Sequence, residues 1–245
     1  MRAMFTLLTF TIIAIPKPIR IQNPVAWRSH VLQAMLILLS YIFWFWGLSK
    51  VKLTIGLLIN ASSSVFLLLL SPLILKEHPT KLETSIVGIG SIGIMMAITQ
   101  TGSTSGVILI IIGAAFEASA HLFSRKILRS QYPRFTALAT YILVSLTMLA
   151  TYPLWIIPSS IDMLYFFVMG IMNGIGYLLI INAYKLASAV VVAPFLYMGL
   201  LWGVTIDMIF WHNYPDFITI TSICTVVCAL SFFAIVELHK KTKAR

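Results

Sequence analysis

Apolar runs alternate with short polar connections along this chain, and nine of the runs approach the length that crosses a bilayer. They cover approximately residues 3–15, 30–48, 53–75, 84–100, 105–123, 135–157, 163–181, 189–210 and 216–236. A hydrocarbon core of roughly 30 Å takes about 20 residues of helix. The pattern therefore predicts an all-α fold, a polytopic helical membrane protein of about nine transmembrane helices. The connections are too short for a separate soluble domain.

Composition agrees: 60% of the 245 residues are hydrophobic and only 10% are charged, against about 25% in a soluble domain. A net charge of +10 would in a soluble protein suggest a nucleic-acid partner. Here the cations lie between apolar runs, which excludes nucleic acid and points to membrane lipids as neighbours. Assigned to alternate connections, 14 of the 17 Lys and Arg fall on one side of the membrane. Lys17, Arg20, Arg28, the Arg125–Arg134 cluster and the C-terminal tail are among them; Lys50, Lys52 and Arg2 fall on the other side. The positive-inside rule puts the C-terminus in the cytoplasm.

Sliding the chain by 136 residues brings Tyr41 onto Tyr177 and Pro79 onto Pro215. The second, third and fourth spans then fall on the seventh, eighth and ninth, and Lys76–Thr80 falls on His212–Asp216 without a gap. Partners five spans apart enter the membrane in opposite directions, the signature of an inverted repeat. The expected division is 1–102 and 103–245, with the first repeat N-terminally incomplete. A full 5+5 arrangement calls for one more helix before the first span. A cleaved signal peptide ending at Pro16 is the alternative for that span, but no small-x-small cleavage site follows it.

The fifth span carries the most chemistry. Gly113, Glu117, His121 and Ser124 recur at intervals of four, four and three residues and share one helix face. A carboxylate near the bilayer centre costs about 3 kcal/mol or more, so Glu117 needs protein, water or a ligand against it. It suits a cationic substrate group or a coupling proton, with His121 as the tuning partner; a structural Glu–His bond is the bland alternative. Asn60, Ser64 and Ser71 line one face of the third span, as cavity lining or as glue between helices. Asn173 and Tyr177 share a face of the seventh span. Tyr197 lies one turn beyond Pro194, whose ring frees a backbone carbonyl in the eighth.

Other signals read as structural. Gly88-Ile-Gly90-Ser-Ile-Gly93 matches a dinucleotide fingerprint but sits inside an apolar helix, where it is a packing seam. Gly170-x-x-x-Gly174 and Gly199-x-x-x-Gly203 are read the same way, and such faces also leave room for a homodimer. Trp44, Trp46 and Trp155 fit an aromatic belt. Cys224 and Cys228 are read as small buried hydrophobes. Asp207 lines an entrance or is solvated. No metal-ligand cluster, nucleophile–base spacing or Walker-type loop stands out, so neither an enzyme nor a metal, cofactor or ATP requirement is expected.

Arg2 with its apolar run, the stretch Tyr41 to Pro79, and Asn182-Ala-Tyr-Lys185 followed by Ala193-Pro194-Phe-Leu-Tyr197 and Tyr214-Pro215-Asp216 together resemble the EamA-type transporters of the drug/metabolite transporter superfamily. The resemblance covers essentially the whole chain, beginning at that family's second helix. Within the family it is most similar to S-adenosylmethionine uptake transporters of obligate intracellular bacteria. It implies secondary, non-ATP transport of a small polar molecule by alternating access across a bacterial inner membrane. S-Adenosylmethionine is the first substrate expected; amino-acid or other metabolite or drug export, or a truncated chain without transport, are the alternatives. Glu117, His121, Asn60, Asn173, Tyr177 and Tyr197 would then offer the acid, amides and aromatic faces that such a substrate needs.

Overall fold

The computed structural model describes residues 2–14, 27–150 and 158–243, and these are helical nearly throughout, with no strand among them. In chain order the helices are α1 (Arg2–Ala14), α2 (Trp27–Leu48), α3 (Leu53–Asn60), α4 (Ser63–Leu75), α5 (Lys81–Ile98), α6 (Thr104–Leu128), α7 (Pro133–Ala150), α8 (Ser160–Leu186), α9 (Ala189–Val192), α10 (Met198–Trp211) and α11 (Phe217–Lys243). A 3₁₀ turn over Ala193–Tyr197 joins α9 to α10. Among the described residues seven stretches are long and apolar enough to span a membrane, and α1 and the first part of α11 add the shorter apolar segments Arg2–Ile12 and Phe217–Ala229. Large side chains such as Leu73, Leu179 and Phe210 are exposed, which suits lipid and not water. Trp155, Lys17, Arg20 and the segment around Pro16 lie outside the described residues.

Two of the predicted spans are broken. The third divides into α3 and α4, and the eighth into α9, the 3₁₀ turn and α10. Pro194 accounts for the second break, since it cannot donate to the helix ladder. The first has neither Pro nor Gly. There the backbone tightens to i→i+3 bonds, with Ser62 N donating to the Ile59 carbonyl, Ser64 N to Ala61 and Val65 N to Ser62. Asn60 and Ser62 are residue types whose side chains compete with the helical backbone.

Both broken spans end alike. Lys76 after α4 and His212 after α10 are the only non-glycine residues with positive φ among those described, at 58° and 53°. They stand 136 positions apart, the displacement seen in the sequence. It also carries the next cap onto its counterpart: Glu83 N donates to Thr80 Oγ1 at the start of α5, and Thr219 N to Asp216 Oδ1 at the start of α11.

The chain forms two compact units, one of residues 1–38 and 123–188, the other of 39–122 and 189–245. In the first, α1 packs on α7 and α8. Gly170 and Gly174 admit it closely, because a Cβ on either would collide with Phe5 or Thr9. In the second, α11 packs on α5, and α3 on α5 and α10. A Cβ at Gly93 would lie 2.9 Å from the Ser222 carbonyl oxygen, and one at Gly90 2.8 Å from the Tyr197 ring. Gly203 seats Leu57. Two glycines depart from the seam reading: Gly88 and Gly199 face open space. The cysteines depart as well, since both lie on the exposed face of α11. Trp46 is exposed as a belt residue would be, whereas Trp44 packs against Ile55, Ile59, Val107 and Ile110.

Candidate functional site

Glu117 stands on α6 in the second unit, opposite the break in the third span. Asn60, the last residue of α3, donates from Nδ2 to Glu117 Oε2 at 2.9 Å. His121 Nε2 lies 3.8 Å from Oε1, one helical turn along α6. The Glu117 side chain remains 35% exposed and that of His121 13%. Gly113, two turns before His121, lets α2 approach, since a Cβ there would lie 3.1 Å from the Trp44 nitrogen. The face predicted for the fifth span is thus formed, and it gains an amide that spacing on one helix could not name.

The position of Asn60, at the interruption of the third span, matters electrostatically. Ala61 and Ser62 keep right-handed helical angles, and the Leu57 and Ile59 carbonyls still accept from Ala61 N and Ser62 N, so the backbone ladder tightens here without ending. A carboxylate beside it concentrates negative potential where the span is interrupted. The arrangement can hold a cation or a proton; transporters place ion and substrate sites at such interruptions.

The remaining serines of the third span serve packing. Ser64 donates to the Ala193 carbonyl at 2.9 Å and Ser71 to the Glu77 carbonyl at 2.9 Å. Tyr197 is fully buried among Leu58, Ala97, Leu200, Val204 and Val226, and no hydrogen bond joins it to Glu117.

Asn173 and Tyr177 belong to the first unit. Asn173 Nδ2 donates to Thr6 Oγ1 at 3.2 Å and to Tyr141 Oη at 2.8 Å. Tyr177 Oη accepts from Gln33 Nε2 at 3.0 Å; the same amide donates to Ser124 Oγ at 2.5 Å, and Gln33 Oε1 accepts from the Thr140 hydroxyl at 3.0 Å. Ser124, on α6 beyond His121, thus bonds into this network, and Gln33, its hub, is a residue the sequence pattern did not single out.

Asp207, expected to line an entrance or to be solvated, lines a cavity where α10 ends. It is buried, and its Oδ2 accepts from Thr54 N at 3.2 Å and from the Thr54 hydroxyl, while Oδ1 accepts from Asn213 Nδ2 at 3.0 Å. Lys52, at the N-cap of α3, makes no side-chain cap, so Asp207 of α10 supplies one. Glu77, just past α4, likewise accepts from Ala189 N at the start of α9 at 2.9 Å. Each broken span thus has its first half-helix capped by a carboxylate from the far part of the other. Among the described residues no three His, Cys, Asp or Glu come together as a metal site would require.

The sequence pattern of the EamA-like transporter family matches residues 1–99 and 104–235. The chain belongs to the EamA-like transporter family. Among curated EamA-like relatives, an S-adenosylmethionine uptake transporter of Rickettsia prowazekii (strain Madrid E) is 24% identical over 209 residues, which cover 83% of this chain and 70% of that protein. An uncharacterized transporter of Helicobacter pylori (strain J99 / ATCC 700824) is 22% identical over 218 residues, covering 84% and 72%. One solved crystal structure superposes with a TM-score of 0.74 over 96% of this chain and 86% of its own, at 14% identity, and so shares the fold. As a member of this family the chain is a multi-pass membrane transporter of the drug/metabolite superfamily and not an enzyme.

Proposed function

We propose that this EamA-like chain carries S-adenosylmethionine, or a close zwitterionic metabolite with a cationic centre, across a bacterial inner membrane. Glu117 is the group that meets the substrate cation. The observation that carries this reading is the Asn60–Glu117 bond at the interruption of the third span, where a partly exposed carboxylate stands beside the tightened backbone. A sulfonium is a permanent cation, so it can replace Asn60 against Glu117 without a proton. His121, 3.8 Å from the same carboxylate, is the neighbour that remains beside it when the substrate has left. The names of the Rickettsia relatives support the substrate, at 22–24% identity for two of them.

The energy source is an ion gradient or exchange, working by alternating access between two repeats divided near residue 102, and the C-terminus lies in the cytoplasm. Tyr197, buried against α5 at the second break, holds that break in shape. Asn173 and Tyr177 hold the hydroxyl and amide network of their own unit. The test is uptake of labelled S-adenosylmethionine by bacterial cells expressing this chain, with empty-vector cells and excess unlabelled competitor beside them. Saturable, competitor-sensitive uptake that Glu117→Gln removes is expected. Uptake that persists in Glu117→Gln with an unchanged pH profile takes the central role from Glu117, and an inserted chain without uptake overturns the substrate.

A further inference from the structure

A cavity of about 570 Å³ opens in the second unit where α3 and α11 begin and α10 ends. Small-molecule sites commonly measure about 300–1,000 Å³. Lys50, Lys52, Gln100, Asp207, Tyr214 and Asp216 are among its walls. Fourteen of the 17 cations fall on the opposite side of the membrane by the alternation of connections, and two of the remaining three stand at this cavity. Orientation by positive charge disfavours lysines here, so Lys50 and Lys52 answer to something other than topology.

The carboxylates divide into two kinds. Asp207 is buried and committed to the α3 N-terminus and Asn213. Asp216 is fully exposed; the Thr219 hydroxyl and backbone N–H, with a smaller contribution from Lys52, hold its carboxyl below the ordinary carboxylate range. A cation and an anion thus stand within electrostatic reach of each other on one wall, with the Gln100 amide and the Tyr214 ring beside them. An α-amino acid carries opposite charges on adjacent carbons and matches such a wall, whereas a simple anion or cation would meet one repulsive partner.

We propose that this cavity is a second binding site, which takes the zwitterionic amino-acid head of a free metabolite, its carboxylate on Lys50 and Lys52 and its ammonium on Asp216. The site is separate from Glu117 but tied to it through α3. Thr54 lines the cavity and Asn60 bonds Glu117, six residues or about 9 Å further along the same half-helix. Binding here does not depend on the transport reading; only its use as an entry station does.

The test uses the full chain in proteoliposomes, with Cys224→Ala and Cys228→Ala removing the exposed thiols and Gln100→Cys placing one at the cavity. Maleimide labelling is timed with S-adenosylmethionine, L-methionine, or decarboxylated S-adenosylmethionine, which lacks the carboxylate. Both zwitterions at several times their Kd should slow labelling about fivefold, the decarboxylated compound should not, and Lys50→Gln with Lys52→Gln should abolish the protection. A rate unchanged by either zwitterion, equal protection by the decarboxylated compound, or protection that survives the lysine substitutions would overturn the proposal. Uptake in the same vesicles separates the two ideas: protection without uptake keeps this site and removes the transport substrate, and uptake without protection does the reverse.

Discussion

The two units each hold a polar cluster among apolar helices, and the clusters differ in kind. In the first unit Gln33 donates twice and accepts once, to and from Ser124, Tyr177 and Thr140, and all of these groups are neutral as hydrogen-bonding partners. Gln33 and Thr140 are completely buried. In the second unit Glu117 brings a charge, stays partly exposed, and is met by one amide and one imidazole. Polarity inside a membrane protein therefore does not mark a working site by itself. A neutral, buried and mutually matched network fixes helices to one another, whereas a charge with room around it can exchange partners.

That contrast can be broken most severely at Glu117. Glu117→Gln keeps the hydrogen bond to Asn60 and removes the charge, and should lower uptake about a hundredfold, the equivalent of about 3 kcal/mol in substrate binding, with the inserted amount unchanged. Kinetics normalised to membrane-inserted protein would show it. Gln33→Leu comes next and should act oppositely. It removes the acceptor of the buried Thr140 hydroxyl and should destabilise the fold by about 1–3 kcal/mol, read as thermal unfolding in detergent, while the folded fraction keeps its KM. A changed KM would make the first network part of the substrate path. Tyr177→Phe should do least. It removes one acceptor but keeps the ring stacked edge-on against Tyr141 at 4.9 Å, and about 1 kcal/mol of stability with no change in uptake is expected.

Most of the architecture was legible because hydropathy reports it directly: the nine apolar runs and the 136-residue displacement needed only residue types and spacing. Glu117 was legible for the same reason, as a carboxylate where carboxylates are expensive. Its partner was less so, because a helix face names neighbours on its own helix, such as His121, and Asn60 comes from another. Pro194 announced the break in the eighth span through its missing N–H. The break at Asn60 to Ser62 had no such herald, since Asn and Ser also occur within helices. The capping role of Asp207 was not legible, because capping a distant N-terminus depends on which helix end arrives beside it. Gly88 and Gly199 show the converse: a small residue at the right spacing still requires a neighbour to be a seam.

Lys76 and His212 hold left-handed backbone without being glycine, a conformation that costs an L-residue about 1–2 kcal/mol. Both sit where a helix must stop and the chain reverse, the place where glycine is the usual terminator. The chain thus carries two points of reserve that protein engineers can draw on. Lys76→Gly should relieve the steric cost, offset in part by the freer unfolded chain, and raise thermal tolerance in detergent. Because Lys76 is far in the sequence from Glu117 and Asn60, such a hardened variant would suit crystallisation or cryo-microscopy without touching the groups proposed to meet the cargo.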